Sequence, residues 1–501
     1  MCDVVVKLNS VALTVVCVIC DQGATNMQMF RMFGVTTEIP CAEIDGQNIF
    51  FMFDPPHLLK SVRNNLMKHN FEIRGKLVKW QYISEFFEAD HKQAVKLAPK
   101  LTPKHINLPP FASMRVRLAA QVLSHSVAAG IYTHVAFGAM SSDAAFTAEF
   151  IETVDALFDC FNAGSFSGPK PYRRALTVNS KQWKLLSDCK DLFLALSVVG
   201  GRSKPPCIDG FVLSINALTQ LFNVLHDQYG FNFVLTNRLN QDALENHFAI
   251  IRSRGGFRDN PDPHAFESAF RQVLVQHLLD TPKGANCSDD LTQFMLSMED
   301  VRSCNKMHVI DMFPKRNLPA FDESVDTAVV SFSSLNDLCD SVCELNAVSY
   351  VAGFVIKTVL TSHNCSPCRD MFLSDSNNRQ ACLFFDFKLY EGYSSSSLHM
   401  PSDFSVRLFC KCRDIFVNKV DEVMCRNTVL YDLYMCSLDA IFPLMSSVSI
   451  SEICMNEVIQ KGVALFLRIL LYHKVKMLNR SISCTTSSGK RNRKAQKVVH
   501  D

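Results

Sequence analysis

Apolar positions along the chain keep two rhythms. Near the amino end they run together: Val11 to Cys20 and Ile49 to Phe53 are β-branched or aromatic and almost uninterrupted, the pattern of strands covered on both faces. Asp21 and Asp54 follow these runs directly, at the strand ends where open α/β sheets place functional groups. Residues 26–33 predict a short helix, and Asp54-Pro55 predicts the N-cap and first position of another. From Glu72 to about Tyr229 the period lengthens, with helices predicted over 80–89, 114–126 and 144–161. That stretch is too long for a loop between a strand and its next helix, so it reads as an inserted helical domain.

The helical period is clearest after Thr236. Leu244, Phe248 and Ile251 recur at i, i+4 and i+7, which predicts an amphipathic helix with its stripe against a core, stopped at Gly255-Gly256. Asp242 and Glu245 share a different face. Acidic residues suit a first helical turn through the helix dipole alone, and a metal-binding pair is the sharper alternative. A further helix is predicted from Pro261-Asp-Pro-His through Leu279, then a polar linker, then a last helical module. The expected division is 1–71, 72–234, 235–279, 280–339 and 340–501.

Composition narrows the classes. A chain of 501 residues with 48% hydrophobic content can fill two to four domain cores, so disorder is not the default. The net charge of +2 exerts no global pull on nucleic acid, so DNA contact must come from local basic patches. Twenty scattered cysteines behind no basic leader suggest reduced intracellular thiols, and Val11 to Cys20 reads as a strand rather than a signal segment. No run of 18 uninterrupted apolar residues occurs, so no transmembrane helix and no membrane partner is expected. Gly200-Gly-Arg-Ser-Lys and Gly164-Ser-Phe-Ser-Gly-Pro-Lys have the wrong spacing for a phosphate loop. Cys365-Ser-Pro-Cys368 has the bite of half a zinc site, which His363, Cys410 or Cys412 would have to complete. Lys490-Arg-Asn-Arg-Lys and Lys497 form a basic cluster suited to nuclear import or phosphate contact.

Leu239-Asn-Gln-Asp-Ala-Leu-Glu-Asn-His-Phe248, with Ile251-Arg-Ser-Arg-Gly-Gly and Asn260-Pro-Asp-Pro, resembles the P-element type DNA transposase family, which includes THAP-domain transposases. Asp21-Gln-Gly and Asp54-Pro-Pro-His57-Leu-Leu-Lys60 are similar to further motifs of that family, and Tyr350-Val-Ala-Gly-Phe-Val to one near its carboxyl end. The resemblance implies an α/β fold: part of a ribonuclease H-like domain interrupted by a mainly helical insertion and followed by a helical module. It implies cut-and-paste DNA transposition, with Asp21 as the second and Glu245 as the last carboxylate of a triad holding Mg²⁺ or Mn²⁺. Asp54 matches no triad position, and with His57 it is expected to organise a helix start.

The family's insertion binds GTP without a phosphate loop. By resemblance Lys100, Arg115, Val116 and Ser124 lie on its phosphate side, Asp159 and Asn162 on its guanine side, and Asp242 towards its metal ion. Arg115 stands where the family has lysine, which keeps the charge and changes its reach. DNA, both transposon ends and target, is the implied partner, with self-association and a nuclear location. The family's first triad carboxylate would lie upstream of Asp21, which only 20 residues precede, so the expectation is the carboxyl part of a transposase lacking the THAP domain and the first catalytic strand. The other reading is a non-catalytic relative that binds nucleotide, DNA or protein.

Overall fold

The computed structural model describes residues 1–200, 203–254, 261–279, 338–339, 341–363, 365–374, 379–389, 399–445 and 452–485. The chain divides into two compact units, one of Met1–Ser84, Pro103–Ile131 and Met140–Lys306, the other of Glu85–Thr102, Tyr132–Ala139 and Met307–Asp501.

In chain order the first part runs α1 (Cys2–Ser10), β1 (Cys17–Cys20), α2 (Ala24–Met32), β2 (Cys41–Ile44), β3 (Gln47–Phe53) and α3 (Pro55–Leu66). Next come β4 (Phe71–Ile73), β5 (Lys76–Val78), α4 (Trp80–Lys92), α5 (Pro103–Ile106), α6 (Val116–Val122), α7 (His125–Ala136) and α8 (Ala144–Phe161). After these follow β6 (Leu176–Thr177), α9 (Gln182–Ala195), β7 (Leu196–Val198), α10 (Pro206–Tyr229), β8 (Phe233–Val234), α11 (Asp242–Arg254) and α12 (Pro263–Leu279).

The central strand is β3, parallel to β1 on one side and antiparallel to β2 on the other. Its unbroken apolar run follows from cover on both faces. Phe30 of α2 stacks on Phe53 at 4.6 Å and meets Phe51 edge-on at 5.1 Å, while Phe50 packs with Leu221 and Leu225 of α10. The Ser214 hydroxyl on α10 accepts from the Phe53 amide (3.0 Å) and donates to the Phe53 carbonyl (3.2 Å), satisfying the buried end of β3. Because Cys20 pairs with Phe53, the residues that follow them, Asp21 and Asp54, leave the sheet side by side.

The expected strand from Val11 is corrected: only Cys17–Cys20 is extended. The preceding residues close α1, with Ala12 at φ 63° and Val11 and Leu13 exposed, so β-branched composition there yields to a helix terminus. In α11 the apolar stripe is only partly used. Ile251 is 1% exposed against Ala269 and Val273 of α12, while Leu244 and Phe248 are 50% and 40% exposed. The expected linker, the Gly255-Gly256 stop and the basic tail lie outside the described residues.

In the second unit α13 (Val342–Ser362) packs against α15 (Arg379–Lys388), α16 (Asp403–Val423) and α18 (Glu452–Thr485); α14 (Ser366–Phe372) and α17 (Val429–Met445) complete it. Ser341 caps α13 by accepting from the Glu344 amide (3.0 Å). The buried Glu344 carboxylate accepts from the Ala94 and Val95 amides (3.1 and 3.2 Å) and faces Arg413, which ties residues 85–102 to this module. Two helices, α10 and α13, are long and apolar enough to cross a membrane, each with mean hydropathy 1.3, where the sequence suggested none. Most of each is buried inside the protein (61% and 67%), as core helices are.

Candidate active site

Asp21 is held in place by its own motif. Its Oδ1 accepts from the Gly23 amide (2.9 Å) and from Asn26 Nδ2 (2.8 Å). A Cβ at Gly23 would lie 3.0 Å from that same oxygen, so glycine is required by close approach rather than by an unusual φ. Between them Gln22 donates to the Pro206 carbonyl (2.8 Å), anchoring the turn to the start of α10. The Gly23 amide, then Asn26, His57 and Lys60, hold the Asp21 carboxyl below the usual range against its partial burial.

Asp54 caps α3 as the sequence predicts, with Pro55 at the first helical position. Its two oxygens serve two chain segments: Oδ2 accepts from the His57 amide (3.0 Å) and Oδ1 from the Gln241 amide (2.8 Å), at the threshold of α11. Burial pushes the Asp54 carboxyl up against these two donors, and the Glu245 charge adds to the rise. One turn into α11, Glu245 Oε1 stands 3.3 Å from His57 Nε2, while Asp21 Oδ2 stands 3.9 Å from His57 Nδ1. The two carboxylates named by motif therefore bracket one imidazole. The motif places His57 at a helix start, and its side chain also joins the two acids.

Asp242 belongs to the same charge cluster. Burial raises its carboxyl, and Asp54 and Glu245 raise it further. Burial lowers the Lys60 ammonium, opposed by Glu245, Asp54 and Asp21. The signal for Lys60 in the sequence is its i+3 spacing from His57, which puts both on one face of α3. Four carboxylates thus share one edge with a lysine and a histidine, an excess of negative charge that suits cations. The side chains of Asp21 and Glu245 are 43% and 62% exposed, so an incoming ligand can reach them. They are not drawn into a tight cage: among the described residues the one set of three or more ligand atoms within 4.8 Å of one another is His363, Cys365 and Cys368.

The residues expected at a nucleotide fall as follows. Asp159 and Asn162 sit buried at the end of α8, where Lys170 Nζ donates to Asp159 Oδ2 (2.6 Å) and Asp155 Oδ2 (3.3 Å). Burial and then Asp155 raise the Asp159 carboxyl, against Lys170. Arg115 is the exposed N-cap of α6, Val116 is its half-buried first residue, and the half-buried Ser124 donates to the Gln121 carbonyl (3.0 Å). Lys100 is exposed in the second unit. The end of α8 is tied to the approach to α11: Thr236 Oγ1 accepts from the Ala163 amide (3.0 Å) and donates to the Cys160 carbonyl (2.5 Å).

The α/β scaffold thus gathers carboxylates from two strand ends and a distant helix on one edge. Residues 56–174 match the family described as "TNP-like, GTP-binding insertion domain", and residues 237–271 match "TNP-like, RNase H C-terminal domain". The chain is 26% identical over 71% of its length to the Transposable element P transposase of Drosophila melanogaster, and 24% identical over 54% to DNA transposase THAP9 of Homo sapiens. Those matches cover 47% and 32% of the two relatives, so the chain spans about half their length or less. The solved Drosophila P element transposase strand transfer complex superposes with TM-score 0.52 at 26% identity, covering 55% of this chain and 63% of that one. The chain belongs to the P-element transposase family.

Proposed function

We propose that this chain carries part of the active centre of a cut-and-paste DNA transposase acting in the nucleus, with Asp21 and Glu245 as two of its catalytic carboxylates. The carrying observation is their convergence on His57 of α3, Asp21 from the end of β1 and Glu245 from α11, 188 residues beyond His57 in the chain. Mg²⁺ or Mn²⁺ would be held by Asp21 and Glu245, and the ion would supply Lewis-acid activation of a water or 3′ hydroxyl and charge neutralisation at the phosphate. The chain's own part is positional. Gly23 and Asn26 keep the Asp21 carboxylate ionised and aimed, Asp54 fixes the start of α11 so that Glu245 faces the same edge, and Lys60 limits the repulsion among the acids. DNA ends and target are the substrates this reading assigns, in an assembly of more than one copy.

The nucleotide reading is GTP. Arg115 and Ser124 offer a cation and a hydroxyl for phosphates, and Asp159 and Asn162 offer an acceptor pair and an amide for a guanine edge. Asp159 fits this role once Lys170 releases it or shares it. The Thr236 bridge gives the bound base a short path to the helix of Glu245.

The test of the catalytic assignment is Mn²⁺ titration of the chain, alongside strand cleavage of transposon-end DNA with Mn²⁺ by a version extended upstream with a family segment that supplies the first carboxylate. Glu245→Gln and Asp21→Asn should each weaken Mn²⁺ binding about tenfold or more, equal to about 1.4 kcal/mol, and should remove cleavage. Cleavage that survives Glu245→Gln, or Mn²⁺ binding indifferent to both changes, overturns it.

A further inference from the structure

The helical module presents a second, chemically different cluster. His363 is the C-cap residue of α13, Cys365 is the N-cap residue of α14, and Cys368 lies in the first turn of α14, fully buried. One ligand atom from each falls within 4.8 Å of the other two. We propose that His363, Cys365 and Cys368 bind a zinc ion that clips the turn between α13 and α14, independently of any catalytic role of the first unit.

The geometry supports a metal over a set of buried thiols. Tetrahedral zinc with about 2.3 Å to sulfur and about 2.05 Å to nitrogen requires an S···N edge of about 3.6 Å. The distance from Cys368 Sγ to His363 Nε2 is 3.5 Å. A Cys–His pair alone would also reach that distance, and here a third ligand atom, that of Cys365, lies within 4.8 Å of both. The imidazole is oriented for a ligand as well. Its other nitrogen, Nδ1, faces Glu457 Oε2 of α18 at 3.4 Å, the carboxylate–histidine arrangement that fixes the tautomer and raises the basicity of a metal-bound Nε2. Two thiolates and an imidazole are a soft donor set that selects zinc over Mg²⁺ or Ca²⁺.

The sequence left three residues as completing ligands, and the structure chooses among them. Cys410 Sγ is 3.7 Å from Cys339 Sγ, and the fully buried Cys412 lies against Ser437, so neither joins the group. His363 does. Cys365 and His363 are half-buried, which leaves room on the solvent side for a fourth ligand.

The test uses the full chain purified under reducing conditions without chelator. Elemental analysis should find about one equivalent of zinc in the wild type and in Cys410→Ser, and less than about a tenth of that in Cys365→Ser/Cys368→Ser. Cobalt exchange into the wild type gives a readout that does not depend on a variant folding. It should produce intense visible bands of a tetrahedral ion together with near-ultraviolet thiolate charge transfer. Metal-free wild type, a weak octahedral cobalt spectrum, or zinc retained in the double variant overturns the site.

Discussion

Asp54 and Gln241 are joined by a 2.8 Å hydrogen bond across 187 residues of chain, so that one buried carboxylate starts two helices, α3 through the His57 amide and α11 through the Gln241 amide. The carboxylate next along the sheet edge, Asp21, gives Oδ1 to its own turn and leaves Oδ2 towards His57. Adjacent strand ends thus carry acids with different work: Asp54 builds the site and Asp21 faces out of it.

Asp54→Ala should therefore cost about 3 kcal/mol, the sum of a lost cap and a buried amide left without its acceptor. Asp54→Asn, which keeps one acceptor oxygen, should cost about half as much. Urea unfolding of the two variants checks this, and equal costs would show that only one of the two bonds matters.

Glycine positions give a second, opposite-signed pair. At Gly353, within the Tyr350-Val-Ala-Gly motif, an added Cβ would clash with the His399 backbone carbonyl and press on the Phe385 ring, neither of which can swing away. At Gly462 the nearest atoms are 3.5 Å from an added Cβ, an ordinary contact. Gly353→Ala should lose about 2 kcal/mol through overpacking, whereas Gly462→Ala should gain up to about 1 kcal/mol from helix propensity. Thermal unfolding of both decides, and a stable Gly353→Ala would mean that α13 does not approach residue 399 so closely.

This contrast also shows what was legible in the sequence. Motifs whose function is local survived the passage to three dimensions: Asp54-Pro55 caps a helix, Asp21 follows a strand, and α11 and α12 lie close to their expected spans. What was lost depends on neighbours distant in the chain. Val11 to Leu13 continue the strand-like apolar run but close a helix, and α10, within the stretch read as an insertion, covers β3 through Ser214 and Leu221. Leu244 and Phe248 keep helical period yet stay half exposed, because periodicity names a face without saying what will cover it. The motif places His57 at a helix start, and only the fold reveals that its ring meets Glu245.

A pH dependence is built into the second unit. Asp90 is 4% exposed, and burial raises its carboxyl to about 6 although the Leu97 and Ala98 amides donate to it. Below about pH 4 both folded and unfolded chains hold this proton. Between about pH 4 and 6 the unfolded chain releases it first, so stability falls with rising pH by about 3 kcal/mol and is level above 6. Asp90→Asn should remove that slope while lowering absolute stability at acid pH. Urea midpoints of wild type and variant from pH 4 to 7 measure the difference, and parallel curves would exclude Asp90 as its source.

The half-buried Lys170, which bridges the buried Asp155 and Asp159, bears on nucleotide binding. Asp159→Ala should weaken GTP binding at least about tenfold and weak ATP binding much less, because a carboxylate that accepts two adjacent donors from a guanine edge meets a single amino donor beside an acceptor nitrogen on adenine. Lys170→Met should destabilise the fold by about 3 kcal/mol, since Asp155 and Asp159 would be left close together without their shared cation. Calorimetry and unfolding on the full chain separate the two effects, and equal affinity of the wild type for ATP and GTP removes the guanine assignment.

The last expectation concerns His57, whose ring occupies the space between Asp21 and Glu245. Removing it in His57→Ala deletes the contact with Glu245 and leaves those carboxylates with Asp54 and Asp242 and with Lys60 as their neighbouring cation, so the variant should lose stability. The same change opens the edge to a divalent cation. A ligand that binds only the folded chain stabilises it in proportion to the logarithm of its concentration over Kd, so Mn²⁺ should raise the Tm of His57→Ala more than that of the wild type. Adding Glu245→Gln to the variant should abolish the extra rise. A Tm that responds to Mn²⁺ equally in all three chains would show that the cation binds elsewhere, and that the two acids meet His57 for structural reasons alone.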